Sequence, residues 1–156
     1  MPQFETRRRL PYTARQMYDL VADVERYPEF LPLCDVLRIR SRAPKENGEE
    51  LICDMEVGYF AIRERFKTRV LLDPAQSRIV ANYIEGPFRQ LENRWRFTDV
   101  AIASGGGSEV DFFIAYEFKS MLLQMLMGSM FDTAFRKFTD AFEQRARQVY
   151  GPGGPV

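Results

Sequence analysis

Histidine is missing from this sequence altogether. That removes the commonest general base and the commonest metal ligand. Cys34 and Cys53 are the only cysteines, too few for a disulfide framework or a zinc site. Net charge is also absent, because 22 basic residues face 22 acidic ones. Strong global attraction to DNA or to an anionic surface is therefore not expected, although local patches stay open. No apolar run reaches the roughly 18 residues needed to span a bilayer, and the opening MPQFETRRRL has no apolar core of a signal peptide. These absences point to a cytoplasmic protein without catalytic machinery. One domain is expected over residues 1–150, with GPGGPV at 151–156 as a disordered tail.

What is present is apolar and aromatic. Hydrophobic residues make up 46% of the chain and thirteen positions are Phe, enough for a full core. Residues 120–150 contain no proline and repeat apolar side chains at Met127, Phe131, Ala134, Phe135, Phe138, Ala141, Phe142 and Ala146, the spacing of one helical face. The stretch predicts one helix of about 45 Å, with Phe131, Phe135, Phe138 and Phe142 turned to a flat apolar partner. Its first part, Met121 to Phe131, has no charge and holds four of the seven methionines. A helix apolar all round is either enclosed or meets something besides its own sheet.

Upstream, alternating residues predict strands. Phe4–Leu10 is the first. Thr13 and Gln16 have capping-box spacing for a short helix, and Pro28 and Pro32 break residues 23–34 into a small helix and a turn that plugs one end of the core. Six further strands follow with short connections. Asn47-Gly48 marks a hairpin turn, Gly58-Tyr59-Phe60 a second, and Ser104–Ser108, with three glycines, a flexible third. The second turn predicts that Glu56 faces Arg63 and Asp54 faces Arg65. Arg38, Arg40 and Arg42 are placed together on the outer face, with Arg63, Arg65, Lys67 and Arg69. An α+β fold results, in which a seven-stranded antiparallel meander has one wet face, one dry face and a long helix across the dry one. The dry face carries Met55, Phe66, Val70, Trp95, Phe97, Phe112, Ile114 and Tyr116. By alternation Glu64 and Thr68 share it, and Glu64 then needs a partner, water or a proton. Pairing with a rim arginine and a polar contact inside a cavity are both open.

Four blocks carry a family resemblance: LPYTARQMYDLVADVERYPEFLPLC at 10–34, ERFKTRV at 64–70, EGPFRQLENRWRF at 85–97, and YEFKSMLL with AFEQRARQVYGP toward the end. They resemble the coenzyme-Q-binding START-domain family of the polyketide cyclase and lipid-transport superfamily, whose bacterial members include ribosome association toxins. The resemblance spans nearly the whole chain. It implies the helix-grip fold, with a seven-stranded sheet wrapped around the C-terminal helix and two short helices after the first strand. It implies no catalytic cofactor and two functions of different kinds. One is non-enzymatic binding of ubiquinone or a similar isoprenoid lipid in support of respiration. The other is contact with the ribosome, on the large subunit, that blocks subunit association. Glu64-Arg65-Phe66 and Phe118-Lys119-Ser120 look more like the quinone branch. Leu33 departs from both patterns, standing where the quinone branch usually has Trp and the toxin branch often has Gly.

With a quinone as ligand, the dry face becomes a tunnel for the isoprenoid tail, lined also by Phe131 and Phe135. Trp95, Tyr83, Tyr116 and Asn93 become candidate donors to the head-group carbonyls. Glu64 and Thr68 are candidate polar contacts. Tyr59, Phe60, Pro87, Phe88, Met121 and Met125 are expected to rim the entrance, where the protein meets the inner face of a bacterial membrane peripherally.

Overall fold

The computed structural model describes residues 3–59, 61–102 and 105–152, without the side chains of Tyr59 and Ile102. Strand β1 (Gln3–Leu10) is followed by helix α1 (Ala14–Ala22) and a 3-10 helix over Val24–Glu29. Then come β2 (Cys34–Lys45), β3 (Gly48–Tyr59), β4 (Ile62–Asp73), β5 (Arg78–Glu85), β6 (Phe88–Ile102) and β7 (Gly105–Phe118), and finally helices α2 (Met121–Arg136) and α3 (Phe138–Tyr150). The sheet order is β1-β7-β6-β5-β4-β3-β2, antiparallel at every pairing. This is the helix-grip arrangement: β2 to β7 meander in sequence, β1 closes on β7, and the C-terminal helices lie on the inner face.

Local chemistry accounts for the element ends. Thr13 caps α1, its hydroxyl accepting from Gln16 N–H at 3.1 Å, while Gln16 Oε1 accepts from Thr13 N–H at 2.8 Å. Lys45 pairs with Gly48, leaving Glu46 and Asn47 as a two-residue hairpin turn. Gly86 has φ +142°, and a Cβ there would lie 2.5 Å from the Cβ of Phe66. The turn into β6 can lie on β4 only because this residue is glycine.

Five expectations are corrected. The C-terminal helix is two helices, not one. At Lys137 the backbone N–H turns to Ala134 O at 3.0 Å, a tightened turn, before Ala141 N–H resumes the α pattern onto Lys137 O at 2.9 Å. The break lets α2 pack on Tyr116 and Phe118 while α3 packs on Trp95 and Tyr27. A straight rod would not follow both places on a twisted sheet. The β3–β4 register is shifted, with Glu56 opposite Arg65 and Asp54 opposite Lys67, because Gly58 and Tyr59 stay in the strand. A bulge between Ile39 and Ser41 puts Ser41 opposite Ile52, so Arg42 leaves the outer face and meets Glu49 at 2.9 Å. The three glycines form the start of β7, with Gly106 opposite Ala101. Gly151 is not a loose tail residue, since its carbonyl accepts from Tyr12 OH at 2.7 Å. The expected tail over 153–156 lies outside the described residues.

Candidate functional site

The inner face of the sheet and the helices do not meet everywhere. Between them lies a partly enclosed cavity with a free volume of about 90 Å³. β3 and β4 line it with Cys53, Met55, Val57, Phe66, Thr68 and Val70. β5 and β6 add Ile79, Ala81, Leu91, Asn93 and Trp95, and β7 adds Ile114. α2 roofs it with Phe131, Ala134 and Phe135, joined by Phe138 of α3. The segment between α1 and β2 closes the remaining side with Val24, Tyr27, Leu31, Pro32 and Leu33. Among the described residues this lining holds no carboxylate and no cation.

The alternating pattern thus brings Met55, Phe66, Thr68, Val70, Asn93, Trp95, Ile114, Phe131 and Phe135 to one cavity. It does not bring Phe97, Phe112, Tyr116, Tyr83 or Glu64 there. Phe97 and Phe112 are buried one layer away, against Tyr18 and Phe4 respectively. Glu64 is half-buried and, among the described residues, has neither the ion pair at the rim nor a place in the lining. The contributions of Tyr27, Leu31 and Leu33 were not legible, because their segment has no periodicity to assign a face, whereas Leu37 of β2 reaches the lining on the face opposite Arg38 and Arg40. The aromatic-proline composition of residues 27–32 was the one signal for a plug.

Three of the four expected head-group donors, Trp95, Asn93 and Tyr116, already donate within the protein. Trp95 Nε1–H donates to Asn93 Oδ1 at 3.0 Å, and Asn93 Nδ2–H donates to Phe113 O at 2.9 Å. Tyr116 OH donates to Gly128 O at 3.0 Å, locking α2 to the sheet, and burial pushes its pKa up to about 12. Tyr83 OH accepts from Phe88 N–H at 3.1 Å. Burial likewise raises the Cys53 thiol to about 11 and the Cys34 thiol to about 12, so neither is a thiolate nucleophile.

At the expected entrance the structure separates two groups. Phe88 is 0% exposed and is a correction: its ring stacks on Phe118 at 4.7 Å and sits edge-on to Phe66 at 5.2 Å. Gly86 turns the chain inward, so the loop's aromatic goes to the core. Pro87 is half-buried and its carbonyl accepts from Lys119 N–H at 2.8 Å. Met121 and Met125 do face solvent, 83% and 78% exposed, with Leu122 and Leu126 beside them. Phe60 and the side chain of Tyr59 lie outside the described residues. Leu33 has φ +67°, a conformation that costs a non-glycine residue roughly 1–2 kcal/mol. Its carbonyl is held by Gly58 N–H at 3.1 Å, and its side chain lies on the cavity.

On the outer face most cations of β2 and β4 are neutralised across strands, Arg38 excepted. Arg65 meets Glu56 at 3.4 Å and Lys67 meets Glu85 at 3.2 Å. Arg40 pairs with Asp54, Arg63 with Asp35, and Arg69 with Glu50. Among the described residues no helix is long and apolar enough to cross a membrane.

The model of a family described as polyketide cyclase / dehydrase and lipid transport matches residues 10–143. A relative named ribosome association toxin RatA, from Rickettsia prowazekii (strain Madrid E), is 36% identical over 152 residues, covering 96% of this chain and 99% of the relative. Another, the mitochondrial coenzyme Q-binding protein COQ10 homolog B of Xenopus laevis, is 32% identical over 143 residues, 91% of this chain and 57% of the relative. A START superfamily protein from Mycobacterium smegmatis shares the fold with a TM-score of 0.76 at 18% identity, over 94% of this chain and 98% of that one. With a START-type helix-grip fold around an apolar cavity, and a family match over most of its length, the chain belongs to the polyketide cyclase / dehydrase and lipid transport family.

Proposed function

We propose that this protein binds the isoprenoid tail of ubiquinone, or of a similar lipid, in the cavity beneath α2 and carries it without altering it, in support of respiratory electron transport at the inner face of a bacterial membrane. The observation that carries this reading is the lining, predominantly apolar, with Thr68 and Asn93 among its few polar side chains and no acid or base among the described residues. Apolar burial at about 25 cal/mol per Å² gives a long tail substantial affinity with no directional contact. The internal bonding of Trp95, Asn93 and Tyr116 leaves the tail as the part of the ligand that this cavity suits, with the head group toward the mouth. The relative named as coenzyme Q-binding supports the same class of ligand. The free volume of about 90 Å³ is below the roughly 300–1,000 Å³ of ligand pockets. Uptake therefore requires the roof or the Leu33 plug to move.

The relatives named as ribosome association toxins favour a second reading, contact with a ribosomal subunit. That reading would draw on Arg38, Arg78 and Arg96, the outer-face cations that meet no carboxylate among the described residues, with Arg78 opposite Arg96 across β5 and β6.

Mass spectrometry of an organic extract of the purified protein tests the proposal. A co-purifying quinone is the expected result. Trp95 is the only tryptophan and lines the cavity, so a quinone analogue brominated on its tail should quench its fluorescence. An empty extract, no quenching and co-sedimentation with ribosomal subunits would overturn the proposal in favour of the second reading.

A further inference from the structure

Sixteen residues of α2 show two unlike faces. Met127, Phe131, Ala134 and Phe135 are buried. On the opposite side Met121, Leu122, Met125 and Leu126 are 83%, 62%, 78% and 50% exposed. Their spacing makes one continuous stripe over the first two turns, a contiguous exposed apolar surface of the kind that marks interaction sites. Past it the same face turns polar at Ser129 and Thr133.

Two cations without a carboxylate partner among the described residues lie at the end of the sheet beside this stripe. Among the described residues, most cations are matched to a carboxylate. Those that are not are Arg38, Arg78, Arg89, Arg96, Lys119 and Lys137. Arg89 and Lys119 belong to the end of the sheet where α2 begins. Lys119 directly precedes the Ser120 cap, and Arg89 follows Phe88, whose ring stacks on Phe118. Both side chains are exposed. The carboxylates of these strand ends are occupied, Glu117 by Gln90 at 3.3 Å and Glu85 by Lys67 at 3.2 Å. α2 has no acidic residue in its first turn, so Lys119 adds to the positive end of the helix dipole where a carboxylate would be the stabilising choice. An exposed apolar stripe bordered by unmatched positive charge is complementary to one kind of partner, a lipid surface carrying anionic head groups.

We infer that the first two turns of α2, with Arg89 and Lys119, form a docking surface for an anionic lipid bilayer. Met121, Leu122, Met125 and Leu126 enter the boundary between head groups and chains, while Arg89 and Lys119 meet the lipid phosphates. The surface is independent of what the cavity holds, so its test uses vesicles free of quinone and its outcome is separate from that of the lipid-carrier reading.

Flotation is measured with vesicles of phosphatidylcholine alone and of phosphatidylcholine mixed with phosphatidylglycerol. The parent protein should float with the mixed vesicles, weakly with the neutral ones, and less as salt rises. Neutralising both cations (Arg89→Gln with Lys119→Gln) should lower partitioning onto the mixed vesicles roughly thirtyfold, at about a factor of five for each charge. Neutral-vesicle binding should stay the same. Met121→Asp with Met125→Asp should abolish flotation on both, and Met125→Gln should weaken it. All these side chains are exposed, so melting temperature serves as the control for folding. The inference is overturned if the parent ignores lipid charge, or if the double Gln variant partitions like the parent. It is equally overturned if the parent is a dimer that Met125→Asp dissociates, which would make the stripe a contact between copies.

Discussion

α2 and α3 are consecutive in sequence and lie on one sheet, yet they are held by different forces. α3 is tied on its outer side by polar contacts to distant segments. Arg145 bridges to Glu29 at 2.6 Å and stacks on Phe30 at 5.1 Å, while Arg8 reaches Asp140 and Glu143. Tyr150 OH donates to Gln16 O at 2.9 Å. α2 has almost none of this. Its inner face is held by rings and by the Tyr116 hydroxyl, and its outer face in the first two turns offers water only apolar groups. α3 is finished as the surface of a monomer, whereas α2 is finished only on the side of the cavity. The helix that roofs the cavity is thus the one with fewer polar ties, and it is the one that can move at lower cost.

The largest expected effect separates the inside of the α2 end from its outside. Phe88→Asp puts a carboxylate among Phe66, Phe118 and Phe131, and should cost more than about 4 kcal/mol and abolish a cooperative thermal transition. Met125→Asp should stay within about 0.5 kcal/mol of the parent. A Phe88→Asp protein melting near the parent temperature would break the distinction between the two positions.

Next in size is Phe142→Ala in α3, whose ring lies edge-on to Trp95 at 5.1 Å, Phe30 at 5.1 Å and Tyr27 at 5.4 Å. Denaturant titration should give a loss of about 3–5 kcal/mol. Phe138→Ala, at a half-buried ring facing the cavity, should lose less, roughly 1–3 kcal/mol. Equal losses would mean that the cavity side is packed as tightly as the α3 side.

Leu33→Gly sharpens the comparison kinetically. It removes a side chain from the cavity wall and relieves a positive φ, so stability should change by less than about 1 kcal/mol. Quenching of Trp95 by a brominated lipid should become several-fold faster. An unchanged rate would leave α2 alone as the moving part.

The smallest effect is nil at neutral pH and grows with alkali. Burial raises Cys53 from 9.0 to about 11, Cys34 from 9.0 to about 12, and Tyr116 from 10.0 to about 12. A raised folded-state pKa means that the folded state holds its proton longer than the unfolded one. The stabilising difference is complete below pH 9 and is lost as pH rises from 9 towards 12. Melting temperature should be flat across neutral pH and fall through that window. Thiol reagents at pH 8 should react with neither cysteine until the protein unfolds.

Alternation and helical spacing determined most of the architecture by themselves, because a face must be apolar to be buried. The strand sequence, the Thr13–Gln16 cap, the Asn47-Gly48 hairpin and the inward aromatics of α2 and α3 are all local patterns. What tertiary structure decided depends on shifts that local pattern does not encode. One bulge at Ile39 moved Arg42 to the other face, and two further strand residues at Gly58 and Tyr59 reset the β3–β4 pairing. Gly86 turned Phe88 from an expected rim into the core. The cavity donors were legible as residue types, but their bonds to one another were not, since Asn93 meets Phe113 O only through the β6–β7 register. Likewise the sequence determined that Met121 to Phe131 is uncharged. Only the packing of α2 against Tyr116, Phe118 and Phe88 decided which of its methionines are core and which face outward, because a helix apolar all round carries no pattern that chooses a side.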